Sequence, residues 1–278
     1  MDFISLQSRV AWGYVGNAVA IPTLQKLGIN AWPVDTVLYP HHPGHGPTFR
    51  RATTAADIGA LLEAAMDCIN GPFSLLSGYL ADTRQGLAAV SVLEKARAGG
   101  RTIPFYLDPV FGDDPEGIYV DPSLVTFFQS TAIPVANLVM PNRFELSTLT
   151  GMTVDTPPEA VKAARRLIGQ GPELVLVSSV PAAELIANIL VSADAAWICR
   201  VEKRPLLAKG TGDMFSAAFS GLLSSGLTPP AALAKATAIV QFAVDDCSKS
   251  DARELNLPYI LNHNLVHITA VPIDTLEI

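Results

Sequence analysis

KGTGDMFSAAFSG, residues 209 to 221, sets two glycines around a threonine, follows them with an aspartate, and then runs into small and apolar residues. Glycine lets a backbone turn tightly and bring its amides toward a ligand. The residues that follow have the pattern of a helix, predicted over Asp213–Ser225. A helix N-terminus carries free N–H groups and partial positive charge, so it attracts phosphate. Asp213 would repel phosphate, and its position therefore needs a reason. On one reading the carboxylate faces a substrate hydroxyl and takes its proton, while the amides of the glycine turn face a transferring phosphoryl group. On the other, Asp213 is a first-turn acid that complements the helix dipole. The stretch is not a P-loop, because no Lys followed by Ser or Thr stands after the glycines.

Outward from this stretch, short apolar runs alternate with helical patterns, the signature of an α/β sheet with covering helices. Strands are expected at Ile4–Gln7, Ala31–Leu38, Ser74–Leu76, Thr102–Leu107, Leu138–Met140, Leu174–Ser178, Ala187–Val191 and Ala196–Val201. The last two are joined by Ser192-Ala193-Asp194, which reads as a hairpin turn. Further helices are expected over Gly16–Lys26, Thr54–Ile69, Thr83–Ala98, Arg143–Leu149, Pro158–Gly169 and Pro230–Lys249. Two polar stretches rich in glycine and proline interrupt the alternation: Tyr39–Arg50, a candidate lid, and Phe111–Pro122.

The whole chain, residues 1–278, reads as one such domain, with 49% apolar and 16% charged residues. Its net charge of −7 offers no basic footprint for nucleic acid, so an anionic substrate must be held by local amides or a metal. No run of apolar residues is long enough for a transmembrane helix, and MDFISLQSRV lacks the basic and apolar regions of a signal peptide. Cys68, Cys199 and Cys247 are odd in number and scattered, which suits reduced thiols in a cytoplasmic protein.

Two further acids stand at strand-to-helix junctions. Asp108 in LDPVFGD closes an expected strand, where ligands of open α/β sheets bind. It could hold magnesium or its water shell, or simply cap the turn before Pro109. Glu145 in MPNRFELSTLTG lies three residues after Asn142, the spacing of a capping pair, and it could equally face metal-bound water. Three acids from three junctions carry more weight together than any one alone. The histidines His41, His42 and His45 are close in sequence but have no accompanying ligand set, and His263 with His267 lacks the glutamate of a zinc helix. Lys209 is expected to point into solvent.

In this order the residues resemble the ribokinase superfamily, and within it the pyridoxal kinase group. The resemblance runs nearly end to end, through SLQSRVAWGYVGNAVA (5–20), TVLYPHHPGHG (36–46), LLSGYLAD (75–82), LDPVFGD, MPNRFELSTLTG and KGTGDMFSA. It implies a ribokinase-like three-layer α/β/α sandwich with a central, mostly parallel sheet, a homodimer, and transfer of the ATP γ-phosphate to the 5′-hydroxyl of pyridoxal. It assigns Asp213 as catalytic base and Gly210, Thr211 and Gly212 as anion hole. Asp108 and Glu145 match the acids around Mg2+ and the phosphates, with Asn142, Ser178 and Ser179 on the nucleotide. Ser8 matches the residue that binds the pyridine ring and Tyr79 one that lines the pocket. Thr36, His42 and Pro43 belong to the implied substrate segment, and a K+ requirement is left open. The lid departs from the group's F-S-N-H-T-G-Y pattern: Pro43 stands for a threonine and His45 for a tyrosine, while Arg9 stands for a histidine. Two alternatives follow, a hydroxymethylpyrimidine kinase of the same superfamily and a non-catalytic vitamer-binding protein.

Overall fold

The apolar runs assemble into one ten-stranded sheet. In the computed structural model residues 1–204, 208–250 and 252–276 are described. The first half contains β1 (Asp2–Val10), α1 (Asn17–Lys26), β2 (Asn30–Tyr39), β3 (Arg51–Ala52), α2 (Ala55–Cys68), β4 (Phe73–Ser77) and α3 (Thr83–Ala98). The middle adds β5 (Phe105–Leu107), β6 (Gly112–Asp113), β7 (Gly117–Ile118), α4 (Pro122–Phe127), β8 (Leu138–Val139), α5 (Arg143–Thr150) and α6 (Pro157–Ile168). The last part holds β9 (Leu174–Ala182), β10 (Leu185–Val191), β11 (Ala196–Glu202), α7 (Thr211–Ser224), α8 (Pro229–Ser250), α9 (Leu257–Asn262) and β12 (Asp274–Leu276).

The strand order is β12-β11-β10-β9-β8-β5-β4-β1-β2-β3. Strands β9, β8, β5, β4, β1 and β2 run parallel, and antiparallel strands extend both edges. Each face of a parallel sheet needs a helical cover, so its strands bury consecutive residues. Leu75 and Leu76 of β4 are both fully buried, the first in a core with α2, α3, α5 and α6, the second in a core with α1, α7 and α8. The expected three layers are thus present.

Local chemistry sets the helix ends. Thr54 accepts the Asp57 N–H, and Asp82 accepts those of Arg84 and Gln85. Pro157 opens α6, where a missing amide costs little. The hairpin at Ser192 joins β10 to β11 as expected. Several boundaries differ from the expectations. β5 begins only at Phe105, because Pro104 has no N–H to give; its carbonyl still accepts from Leu75 at 2.9 Å. β9 runs on past Ser178 to Ala182 through a register shift opposite Asn188, with Ser179 at φ 60°. The stretch after Phe111 is not a plain loop: it holds the small β6–β7 hairpin and leads into α4. The helical turns up to Val135, α9 and β12 were also unforeseen, being short and without a full period of pattern. No helix among the described residues is long and apolar enough to cross a membrane.

Candidate active site

The chain segments leaving β1, β5 and β8 converge on the N-termini of α5 and α7. Asp108 follows β5 directly, and its N–H continues the ladder by donating to the Ser77 carbonyl at 2.8 Å. Its carboxylate is buried and accepts from the Ser216 hydroxyl, one turn beyond Asp213 on α7. Burial, reinforced by the charge of Asp213, raises the Asp108 carboxyl above its ordinary range; the Ser216 bond opposes the rise.

Glu145 lies in the first turn of α5. The capping box is complete: Asn142 Oδ1 accepts the Glu145 N–H at 2.8 Å, and Glu145 Oε2 accepts the Asn142 N–H at 2.9 Å. The other oxygen accepts from Phe111 N–H at 3.1 Å and Gly112 N–H at 3.5 Å. Burial and then the charge of Asp108 push its carboxyl up, and these amides pull it down. Glu145 is therefore both a member of the capping box and a buried neighbour of Asp108. Asn142 also donates to the Gly112 carbonyl at 2.8 Å, so this helix end holds the β6–β7 hairpin over the site.

Asp213 occupies the first turn of α7, where Oδ2 accepts the Gly16 N–H at 2.9 Å. The residue stays partly open to solvent. Its deep position nevertheless pushes the carboxyl up to about 6, against the pull of the Gly16 amide. The two glycines beside it differ. Gly210 caps α7 at φ 93°, and a Cβ there would stand 1.9 Å from the Tyr14 carbonyl oxygen. Gly212 lies within α7 and has nothing near its missing Cβ. Only Gly210 makes the turn; Gly212 leaves open space over the first helical amides, which have no carbonyl one turn back to accept them.

Ser8 is buried near the end of β1, against Gly16 at φ 54°, where a Cβ would meet the Ser8 carbonyl oxygen at 2.1 Å. Tyr79 meets Tyr39 edge-on with ring centroids 6.4 Å apart, and its hydroxyl lies 3.2 Å both from that of Tyr39 and from the Arg50 guanidinium. Burial and then the Tyr39 hydrogen bond raise the Tyr79 phenol above its usual range. Thr36, expected in the substrate segment, is fully buried, and its hydroxyl donates to the Tyr79 carbonyl at 2.7 Å. It supports Tyr79 from behind, and Gln85 in turn donates to the Thr36 carbonyl at 2.8 Å.

The lid contains a short 3-10 turn, Pro43–His45, with Pro43 at its first position, where an N–H would have no helical partner. His42 caps that turn by accepting the Gly44 N–H at 3.0 Å. Burial, then the charges of Lys209, His45 and His41, lower the His42 imidazole to about 4. Lys209 does not simply face solvent: half exposed, it lies 3.6 Å from Glu116 of the hairpin and close enough to His42 to act on it. Ser178 bridges to Asn142 at the N-terminus of α5, while Ser179 is exposed. His263 and His267 share no helix, since α9 ends at Asn262.

Sequence reasoning missed Ser216, Gly16, Tyr119 and Glu254. Ser216 is three residues after Asp213, the spacing that shares a helix face, and was findable. Tyr119 follows the hairpin and stays half exposed; the loss of water around its hydroxyl first, then the charges of Glu145, Asp108, Asp113 and Asp213, raise its phenol. Glu254 carried no local signal at all.

A family model described as phosphomethylpyrimidine kinase matches residues 78–257. Pyridoxal kinase PdxY of Rubrobacter xylanophilus is 32% identical over 264 residues, covering 92% of this chain and 91% of the relative. Pyridoxal kinase PdxY of Deinococcus radiodurans is 33% identical over 268 residues, covering 92% and 90%. The chain belongs to the phosphomethylpyrimidine kinase family of the ribokinase-like superfamily, among its pyridoxal kinases. Its fold is that of the pyridoxal kinase from Entamoeba histolytica, with TM-score 0.89, 20% identity and 99% of both chains covered. It is also similar to that of the Leishmania donovani pyridoxal kinase in complex with ADP and pyridoxamine, with TM-score 0.88, 24% identity and 99% of both chains covered.

Proposed function

We propose that this chain is a pyridoxal kinase that moves the γ-phosphate of ATP to the 5′-hydroxyl of pyridoxal. The observation that carries the reading is Asp213 beside the free amides of α7, partly open to solvent and paired with the Gly16 amide. Asp213 accepts the hydroxyl proton as the oxygen attacks, which requires a carboxylate whose proton affinity lies close to working pH. The amides of Thr211, Gly212 and Asp213 hold the phosphoryl oxygens as charge spreads over them. Ser8 and Tyr79 border the vitamer; Asn142, Ser178 and Ser179 border the nucleotide. His42 and Pro43 cap and start the lid turn over the pocket.

The acids fit a magnesium ion. The charge of Asp213 acts on Asp108 and that of Asp108 on Glu145, and none of the three acids forms a salt bridge to a lysine or arginine among the described residues. No cluster of three or more ligating side chains converges there among the described residues, which suits an ion held mainly by phosphates and water. Asp108 would hold it, with Glu145 acting through water because its oxygens already accept backbone amides. The ion would supply charge neutralisation of the phosphates. A homodimer and a cytoplasmic location complete the proposal.

The test is ATP-dependent formation of pyridoxal 5′-phosphate by the purified protein, with pyridoxal and hydroxymethylpyrimidine assayed separately. Product from pyridoxal is expected, and it should vanish when magnesium is chelated. The family model's description favours hydroxymethylpyrimidine kinase as the second reading. Turnover of that substrate alone would establish it, and tight pyridoxal binding without product would mark a vitamer-binding protein.

A further inference from the structure

Glu254 lies beyond the end of α8, far in sequence from the site, yet its side chain is only 13% exposed. It reaches two segments that lie 240 and 209 residues away in the chain. Oε2 accepts the Tyr14 N–H at 2.8 Å. Oε1 pairs with Nε2 of His45 in the lid turn. The approach is possible because residue 13 is glycine at φ 106°: a Cβ there would stand 2.6 Å from Glu254 Oε2. Trp12 closes the group by meeting His45 edge-on, with ring centroids 5.2 Å apart. Two residues beyond Tyr14, Gly16 gives its N–H to Asp213.

We propose that Glu254 is a positioning residue that clamps the lid, through His45, to the segment from Ala11 to Gly16, and so closes the vitamer side of the site. The inference rests on the reading of the site as that of a pyridoxal kinase. A sheltered carboxylate is costly to desolvate unless paired, and here its two oxygens serve two different segments. Both segments border the hydroxyl-bearing substrate: one supplies Gly16 to Asp213 and abuts Ser8, the other is the lid. On the proposed nucleotide side, Asn142 and Glu145 hydrogen-bond to each other and to the hairpin instead, and Ser178 donates its N–H to the Pro141 carbonyl at 3.1 Å. His45 is part of the lid turn itself, so its contact with Glu254 fastens the lid directly.

Steady-state kinetics on Glu254→Ala, Glu254→Gln, His45→Phe and the double variant Glu254→Ala/His45→Phe test the clamp. Losing it should raise KM for pyridoxal about tenfold, with kcat and KM for ATP within about twofold. The double variant should be no worse than Glu254→Ala, since one interaction cannot be lost twice. Glu254→Gln should recover part of the loss, because its amide oxygen still accepts the Tyr14 N–H. Parallel shifts in both KM values, unchanged KM for pyridoxal, or losses that multiply in the double variant would overturn the clamp. Should Glu254→Ala fail to fold, Glu254→Gln and His45→Phe carry the same comparison of the two KM values. A wild-type protein that makes no pyridoxal 5′-phosphate overturns the underlying reading, and the clamp with it; an active wild type with flat KM values overturns the clamp alone.

Discussion

Asp213 sits between two opposing influences. Its deep position favours the neutral acid, while the Gly16 amide and the open end of α7 favour the carboxylate. The balance leaves a base that ionises near pH 6. Asp213→Asn should therefore lower kcat by about 10²–10⁴-fold, the usual worth of a general base, without lowering Tm. A variant with unchanged kcat would remove Asp213 from the chemistry. The wild-type kcat/KM should fall on the acid side with a midpoint near pH 6, because protonation below that value removes the base. A pH–rate profile flat down to pH 4 would contradict the assignment. From the motif alone the aspartate could be a base or a dipole partner, and the fold shows why spacing did not separate these: the first turn of α7 is the one place that serves both.

The glycine turn shows what an element adds to a motif. GTGD contains two glycines that look alike in sequence, yet they do different work. Gly210→Ala must force a side chain into φ 93° and against the Tyr14 carbonyl, so it should destabilise the fold by about 2 kcal/mol or more. Gly212→Ala meets no neighbour and should keep Tm, while its methyl intrudes on the space above the α7 amides and slows transfer. Chemical denaturation paired with turnover separates the two; equal loss of stability in both variants would refute the distinction. The same limit governed legibility elsewhere. The long parallel strands and the capping pair Asn142–Glu145 were readable because periodicity and spacing are local. The end of β9, the burial of Thr36 and the reach of Glu254 were not, because each is decided by a partner distant in sequence. The β6–β7 hairpin escaped as well: its strands are two residues long, and the hairpin is held by Asn142 and Glu145 of α5 rather than by its own pattern.

On the scale of the whole molecule, the site acts against stability. Asp108, Glu145 and Asp213 are all raised above their ordinary values, chiefly by burial. The folded chain thus holds protons that the unfolded chain has already released. Where the unfolded state binds fewer protons, stability falls as pH rises, so this contribution is fully present below about pH 4 and is lost as pH climbs through 6 and beyond. On the proposed function the acids supply the charge that phosphoryl transfer needs, a cost that nucleotide with a cation would offset on binding. Asp108→Asn keeps an oxygen for the Ser216 hydroxyl and removes the repelling charge. In the absence of nucleotide and divalent ion it should raise Tm at pH 8, by about 2–4 °C for each kcal/mol recovered. The gain should shrink toward zero near pH 4, where Asp108 in the folded wild type already carries its proton. Phosphoryl transfer by the variant should fall sharply at the same time. Thermal unfolding of both proteins from pH 4 to 8 decides the matter: a variant less stable than the wild type at pH 8 would mean that the Asp108 carboxylate holds the fold together rather than straining it.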